Sequence, residues 1–262
     1  MRKSFPADDL ARDERFNRVS QAERVQDPRL GGSGTSSRAK LTPALRSAPD
    51  RARSLMHGIF TGEIQALEGA GRTCFDFEIG TGEGEVPFEL KLDMARQCWD
   101  EARHCEISVM LADHMGTELG EFTENTLLYE AACNTDPVLR LTGVNRALEG
   151  LAIDVFTTMK DFGTIAGDPV LEFCEDWMLA DEVTHVKMGS DWLRNLTAGD
   201  RDRLDRALEF QRVVDKLFSF NGLRGEDDES PIQLTRRFRE MAGFTDEEID
   251  DIAELSREAA AS

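Results

Sequence analysis

From about residue 47 onward, apolar residues recur every three or four positions, the period of helices that bury one stripe. One stripe runs Leu90, Met94, Cys98, Glu101, Cys105, Ser108, Ala112, Met115. Another runs Leu171, Cys174, Met178, Glu182, His185, Gly189, Trp192. Strand-like alternation is absent and β-branched runs are scarce. The pattern predicts long helices over 47–77, 87–116, 137–163 and 169–196, with a short helix near 121–133 in the second-to-third crossover. A fifth helix over 197–220 and two shorter ones follow. GTGEGEVP at 80–87 breaks the chain, while Asp136-Pro137 and Asp168-Pro169 open helices. Ser230–Gln233 and Thr245–Glu248 fit the capping-box pattern. Residues 1–46, rich in Arg, Asp, Ser, Gly and Pro, read as an extended N-terminal arm with DPRLGGSGTSS as its clearest loop. The expected fold is all-α: a four-helix bundle over 47–196 and a C-terminal helical extension over 197–262.

At 262 residues the chain can bury a sizeable core. Its 51 acidic and 31 basic residues give a formal charge of −20, a surface that repels nucleic acid and anionic membrane. No nucleic-acid or membrane partner is expected, and solubility is the plainest reason for the acidity. MRKSFPADDL lacks the apolar run of a secretory signal, and no window approaches 18 uncharged apolar residues. The five cysteines lack C-x-x-C spacing, and three fall on predicted helix stripes, as buried free thiols do. A cytoplasmic protein is expected.

The two stripes carry a chemical anomaly. Glu101 and His104 on one, Glu182 and His185 on the other, stand at i, i+3, so each pair projects from one side of its helix. The offset between the pairs is 81 residues for both members, and each glutamate follows an aspartate, Asp100 or Asp181. A carboxylate in an apolar stripe loses its hydration and needs a partner or a metal. The other long helices offer one candidate each. Glu63 is framed by Ile59, Phe60, Ala66 and Leu67; Glu149 shares a face with Ala152, Ile153 and Phe156. Four glutamates and two histidines spread one, two, one, two over four helices match ferritin-like di-iron carboxylate bundles. Four carboxylates neutralise two divalent ions, and glutamate can bridge or chelate as their charge changes. Asp100 is assigned to the ring N–H of His185, and Asp181 to that of His104.

D-E-A-R-H at 100–104 and D-E-V-T-H at 181–185 resemble the ligand helices of di-iron monooxygenases. A closer resemblance covers roughly residues 12–195. The segments RFNRV, DPRLGGS, MHGIFTGEIQALEGA, ARQCWDEARHCEISVMLADHMG, NRALEGLAIDVF and ADEVTHVKMGSDWL look like a bacterial ferritin-like family that carries a domain-of-unknown-function label. The resemblance implies the fold and a dinuclear metal site more than a substrate. In that family histidines often precede the first-helix glutamate, where this chain has Thr61-Gly62. The function expected is an O2-dependent oxidoreductase with two Fe ions, or an iron–manganese pair, that hydroxylates, desaturates or N-oxygenates a small organic substrate. The sequence has no nucleotide-binding fingerprint, so electrons would come from an external reductase or ferredoxin, or from the substrate. The alternative is a ferroxidase, iron-handling or peroxide-scavenging protein; a homodimer fits either.

Plainer roles stand beside these. Buried ion pairs could fix helix register, although too few buried bases are available to neutralise four carboxylates. His57 and His114 read as satisfied or surface histidines, Trp99 as a packing residue and Glu68 as more solvated than Glu63. Tyr129, the only tyrosine, falls outside the four ligand helices.

Overall fold

A computed structural model describes residues 49–124, 126–217 and 231–261. The expected N-terminal arm and the Ser230 cap lie outside these. The described chain is predominantly helical. Helix α1 spans Pro49–Asp76 and α2 Phe88–His114. Short helices α3 (Leu127–Ala132) and α4 (Pro137–Leu141) lead into a π-helical segment, Thr142–Leu148. Helices α5 (Glu149–Ala166) and α6 (Pro169–Leu196) follow, then α7 (Arg201–Leu217), α8 (Pro231–Met241) and α9 (Asp246–Ala261). None of the described helices is long and apolar enough to cross a membrane.

The punctuation read from the sequence sets the helix ends. Asp168 Oδ1 accepts from the backbone N–H of Val170 and Leu171, both at 3.1 Å, with Pro169 at the first helical position. Asp136 caps α4 in the same way through Val138 N–H at 2.8 Å. Gly167 ends α5 in the left-handed conformation, φ 70°. Thr245 and Glu248 form the expected reciprocal cap: Thr245 N–H donates to Glu248 Oε2 at 2.8 Å, and Glu248 N–H to Thr245 Oγ1 at 3.2 Å. The α7 start falls at Arg201 rather than 197, because Gly199 turns the chain at φ 81° and Asp200 accepts from Arg203 N–H. In the 80–87 break, Glu85 folds over Gly80 and Gly82, leaving no room for a Cβ at Gly80. A two-residue parallel pair, Glu78–Ile79 with Glu85–Val86, closes this loop; it is too short to show as alternation in sequence.

The four long helices pack as two antiparallel pairs, α1 with α2 and α5 with α6, and α2 meets α6 while α1 meets α5. The main apolar core includes Met56, Ile59, Leu111, Ile153, Phe156, Met159, Leu171, Met178 and Val186. Three sequence expectations change. The helix expected to run unbroken from 137 contains the π segment, whose seven residues are all buried. The buried face of α2 is rotated: Gln97, Asp100, Glu101 and His104 lie inside, while Cys98 and Cys105 are half-buried. Trp99 is not packed; it is 66% exposed, its ring beneath the Arg103 guanidinium.

The C-terminal helices grip the second pair from outside. Arg239 of α8 donates to Asp154 Oδ2 and Gly150 O, each at 2.7 Å, and Thr235 Oγ1 donates to Asp154 Oδ1 at 2.5 Å. Arg146 in the π segment pairs with Glu248 of α9 at 2.7 Å. The π segment approaches α6 where Gly189 stands; a Cβ there would meet Asn145 Cβ at 2.6 Å and its carbonyl carbon at 3.2 Å. Replacing Gly189 by alanine should therefore lower the unfolding free energy by about 1–3 kcal/mol, the usual cost of overpacking. Urea denaturation followed by circular dichroism would check this; unchanged stability would mean that the segments are not held so closely.

Candidate metal centre

The four long helices bring all six predicted ligands to one buried place. Glu63 comes from α1, Glu101 and His104 from α2, Glu149 from the first turn of α5, and Glu182 and His185 from α6. All six are buried. They form two overlapping groups: Glu63, Glu101, His104 and Glu182, then Glu101, Glu149, Glu182 and His185. Within each group, one candidate ligand atom per residue lies within 4.8 Å of the others, so each group could hold a metal ion. Glu101 and Glu182 belong to both.

The imidazoles turn the same atom inward. His104 Nδ1 lies 3.0 Å from Glu63, 3.2 Å from Glu101 and 3.2 Å from Glu182. His185 Nδ1 lies 3.1 Å from Glu101, 3.7 Å from Glu182 and 3.8 Å from Glu149. The outer nitrogens meet aspartates of the facing helix: His104 Nε2 is 3.3 Å from Asp181, and His185 Nε2 is 3.3 Å from Asp100. An outer aspartate fixes the tautomer and leaves the inner nitrogen free to ligate. Arg103 ties the aspartates together, bonding Asp100 and reaching Asp181 at 3.4 Å. Its guanidinium lies 4.8 Å from the Trp177 ring centroid, and the rings of Trp177 and Phe156 stand edge-on to His104.

Hydrogen bonds within the protein do not use up this donor set. Both oxygens of Glu182, Oε2 of Glu101 and Nδ1 of His185 are buried without a hydrogen bond of good geometry. One Nδ1 proton cannot serve three carboxylates, and these unsatisfied atoms form a donor set that a pair of divalent ions would fit. The nitrogen and oxygen donors suit iron, manganese or zinc.

Without metal, protons must balance the charge. Burial alone would lower the His104 pKa, but its hydrogen bonds with Asp181, Glu101, Glu182 and Glu63 hold it far above the usual value. Against the same cost of burial, Glu101 and Asp100 hold His185 high. Burial would raise Glu101 and Glu182. The two imidazoliums instead keep Glu101 far below the ordinary range, while the nearness of Glu149, His104 and His185 holds Glu182 at about 2. Glu63 and Glu149 go the other way, raised well above normal by burial and then by the neighbouring carboxylates. The environment thus favours charge on the two imidazoles, Glu101 and Glu182, and the neutral form of Glu63 and Glu149.

Three neighbours carry weaker signals in the sequence. Gln97 donates to Glu101 Oε1 and Glu149 Oε1, both at 3.0 Å, and accepts from Asn145 Nδ2 at 2.7 Å. Asn145 was readable as a continuation of the Glu149 face; Gln97 was hidden beside Cys98, which fits an apolar stripe better. Glu175 is fully buried, with no hydrogen bond to either oxygen, and burial pushes its pKa well up. Its signal was the spacing of seven, two helical turns, before Glu182. Outside the cluster, His57 is fully buried beside Glu124 at 2.8 Å, and His114 is an exposed partner of Asp168. Tyr129 contacts Arg72, and Glu68 is half-buried.

The family profile described as "Protein of unknown function (DUF455)" matches residues 3–250, and the chain belongs to that family. No curated protein and no solved structure matches it.

Two measurements follow from the protonation pattern. Divalent ions would compete with protons at Glu63, His104, Glu149 and His185, all held above their ordinary pKa, so loading should release protons near neutral pH. Apparent affinity should rise with pH accordingly. Calorimetric titrations in buffers of different ionisation enthalpy count the protons, and release of none would contradict the assignment. Replacing Glu175 by leucine should raise the unfolding free energy by about 1–3 kcal/mol, because it removes an unsatisfied buried carboxyl. A loss of stability in denaturant titration would reveal a partner for that carboxyl.

Proposed function

We propose that this member of the family is a dinuclear non-haem iron oxidoreductase built on a ferritin-like four-helix bundle, using O2 to oxidise a small organic molecule. The observation that carries the reading is the pair of four-residue ligand groups sharing Glu101 and Glu182. One metal would be held by Glu63 and His104, the other by Glu149 and His185, with the shared glutamates between them. Iron is preferred for its redox chemistry; an iron–manganese pair fits the same donors. When bound, the two metals would supply the electrons for reduction of O2.

The residues themselves do the rest. Glu101 and Glu182 offer four oxygens at the centre and can chelate or bridge as the charge between them changes. Asp100 and Asp181 keep the ring protons on Nε2, so that both Nδ1 atoms face inward. Gln97 steadies one oxygen each of Glu101 and Glu149, leaving the second oxygen of each to move. Phe156 and Trp177 keep water from the His104 side. The C-terminal extension favours substrate oxidation over iron storage: α8 packs on α5 and α6, and α9 packs on α7 and α8.

Reconstitution with Fe(II) without oxygen should load about two irons per chain, and a subsequent O2 pulse should change the visible absorption and consume O2. Glu101→Ala and His185→Ala should abolish metal binding while leaving the protein helical. A large assembly taking up many irons per chain would point to iron storage. Metal retained in both variants would remove the ligand assignment altogether.

A further inference from the structure

A second chemically active group lies on the α1–α2 pair, away from the six ligands. Cys74 of α1 and Cys98 of α2 are both free and half-buried, and each acts electrostatically on the other across the helix pair. Each sulfur is also anchored to the opposite helix. Cys74 Sγ lies 3.6 Å from Lys91 O, and Cys98 Sγ lies 3.8 Å from Leu67 O. The helices come close here because α1 places Gly71 against Cys98: a Cβ on Gly71 would stand 3.9 Å from the sulfur. Lys91 adds a positive charge, its ammonium bonded to Cys74 O at 2.8 Å and to Phe77 O.

We infer that Cys74 and Cys98 are a peroxide-reactive thiol pair that closes into an interhelical disulfide between α1 and α2. The roles follow from the surroundings. The neighbouring Cys98 thiol brings the Cys74 thiol to about 7, against the opposing effect of burial and with help from Lys91. That lowers the cost of forming the Cys74 thiolate, the form that attacks oxygen. Cys98 is pushed far up by Cys74 and by burial, which favours its protonated form. The other cysteines with a defined environment are disfavoured: burial raises Cys105 and Cys174, with nearby carboxylates adding to it.

The chemistry balances with a hydroperoxide as oxidant. Cys74 thiolate attacks the terminal peroxide oxygen; the O–O bond breaks, Cys74 becomes a sulfenic acid, and the hydroxide or alkoxide leaves with a proton. The Cys98 sulfur then attacks the sulfenic sulfur, the S–S bond forms, and water leaves. With hydrogen peroxide, two thiols and one peroxide give one disulfide and two waters. The product ties α1 to α2 one helical turn before Glu101, so the oxidation state of the pair reaches the helix that carries both Glu101 and His104.

The test uses the full-length reduced chain and hydrogen peroxide, without added iron. Free thiols counted after denaturation should fall from five to three, and peptide mapping should find Cys74 joined to Cys98, with dithiothreitol restoring all five. In Cys98→Ser, peroxide should leave Cys74 as a sulfenic acid that dimedone traps; in Cys74→Ser, the pair should not react. A full thiol count under excess peroxide, or a bond joining other cysteines, would overturn the inference. None of these readouts depends on the metal centre, so either proposal can fail alone.

Discussion

The structure depends on one electrostatic constraint: four carboxylates and two imidazoles occupy a volume from which water is excluded. An unpaired ion in such surroundings costs several kcal/mol, and a buried pair recovers that only with good geometry and satisfied hydrogen bonds. The centre reaches neutrality by two routes. Without metal, the surroundings favour charged imidazoles against Glu101 and Glu182 and protons on Glu63 and Glu149. With two divalent ions, all four carboxylates are charged and both imidazoles neutral. Protons and divalent ions are thus alternative ways to neutralise the same buried cluster.

Keeping that shape requires a frame that does not compete for the inner atoms. Asp100 and Asp181 bind only the outer nitrogens, and Arg103 offsets their charge. Gln97 is neutral, so it can touch two glutamates without disturbing the charge balance. Its carbonyl is taken by Asn145, which Gly189 admits against α6. The π segment belongs to this chain of contacts. A wider turn changes the phase between α4 and α5, and the register it leaves puts Asn145 toward Gln97 and Glu149 toward the centre.

Much of this was legible because burying a charged side chain violates the helical pattern in which it sits. Glu101, His104, Glu182 and His185 interrupt two apolar stripes at equal spacing, and Glu63 stands among four apolar neighbours. The caps at Asp136, Asp168 and Thr245 were equally readable, since each is a local interaction of three or four residues. What stayed hidden depends on contacts between distant segments. Gln97 and Cys98 are adjacent, and a stripe counted from sequence favours the less polar one; a glutamate from another helix decides for Gln97. A π turn needs one residue of phase shift, which periodicity over a short window does not resolve. Trp99 looked like packing, but it sits on the outer side of a helix whose inner side was already taken by Asp100 and Glu101.

Glu149 shows most clearly how far the centre extends. Its helix is the least framed of the four in sequence, and it emerges directly from the π segment, where main-chain hydrogen bonding is irregular. Two buried arginines steady that junction from opposite sides. Arg239 crosses from α8 to Gly150 O and Asp154, one residue and five residues beyond Glu149. Arg146, three residues before it, is held by Glu248 of α9. Neither arginine touches a candidate ligand, yet removing either partner would leave a buried charge uncompensated beside one, a cost of about 3–5 kcal/mol. The C-terminal helices are thus part of what holds the fourth carboxylate in place. Their buried pairs fix the one ligand helix that local sequence could not fix.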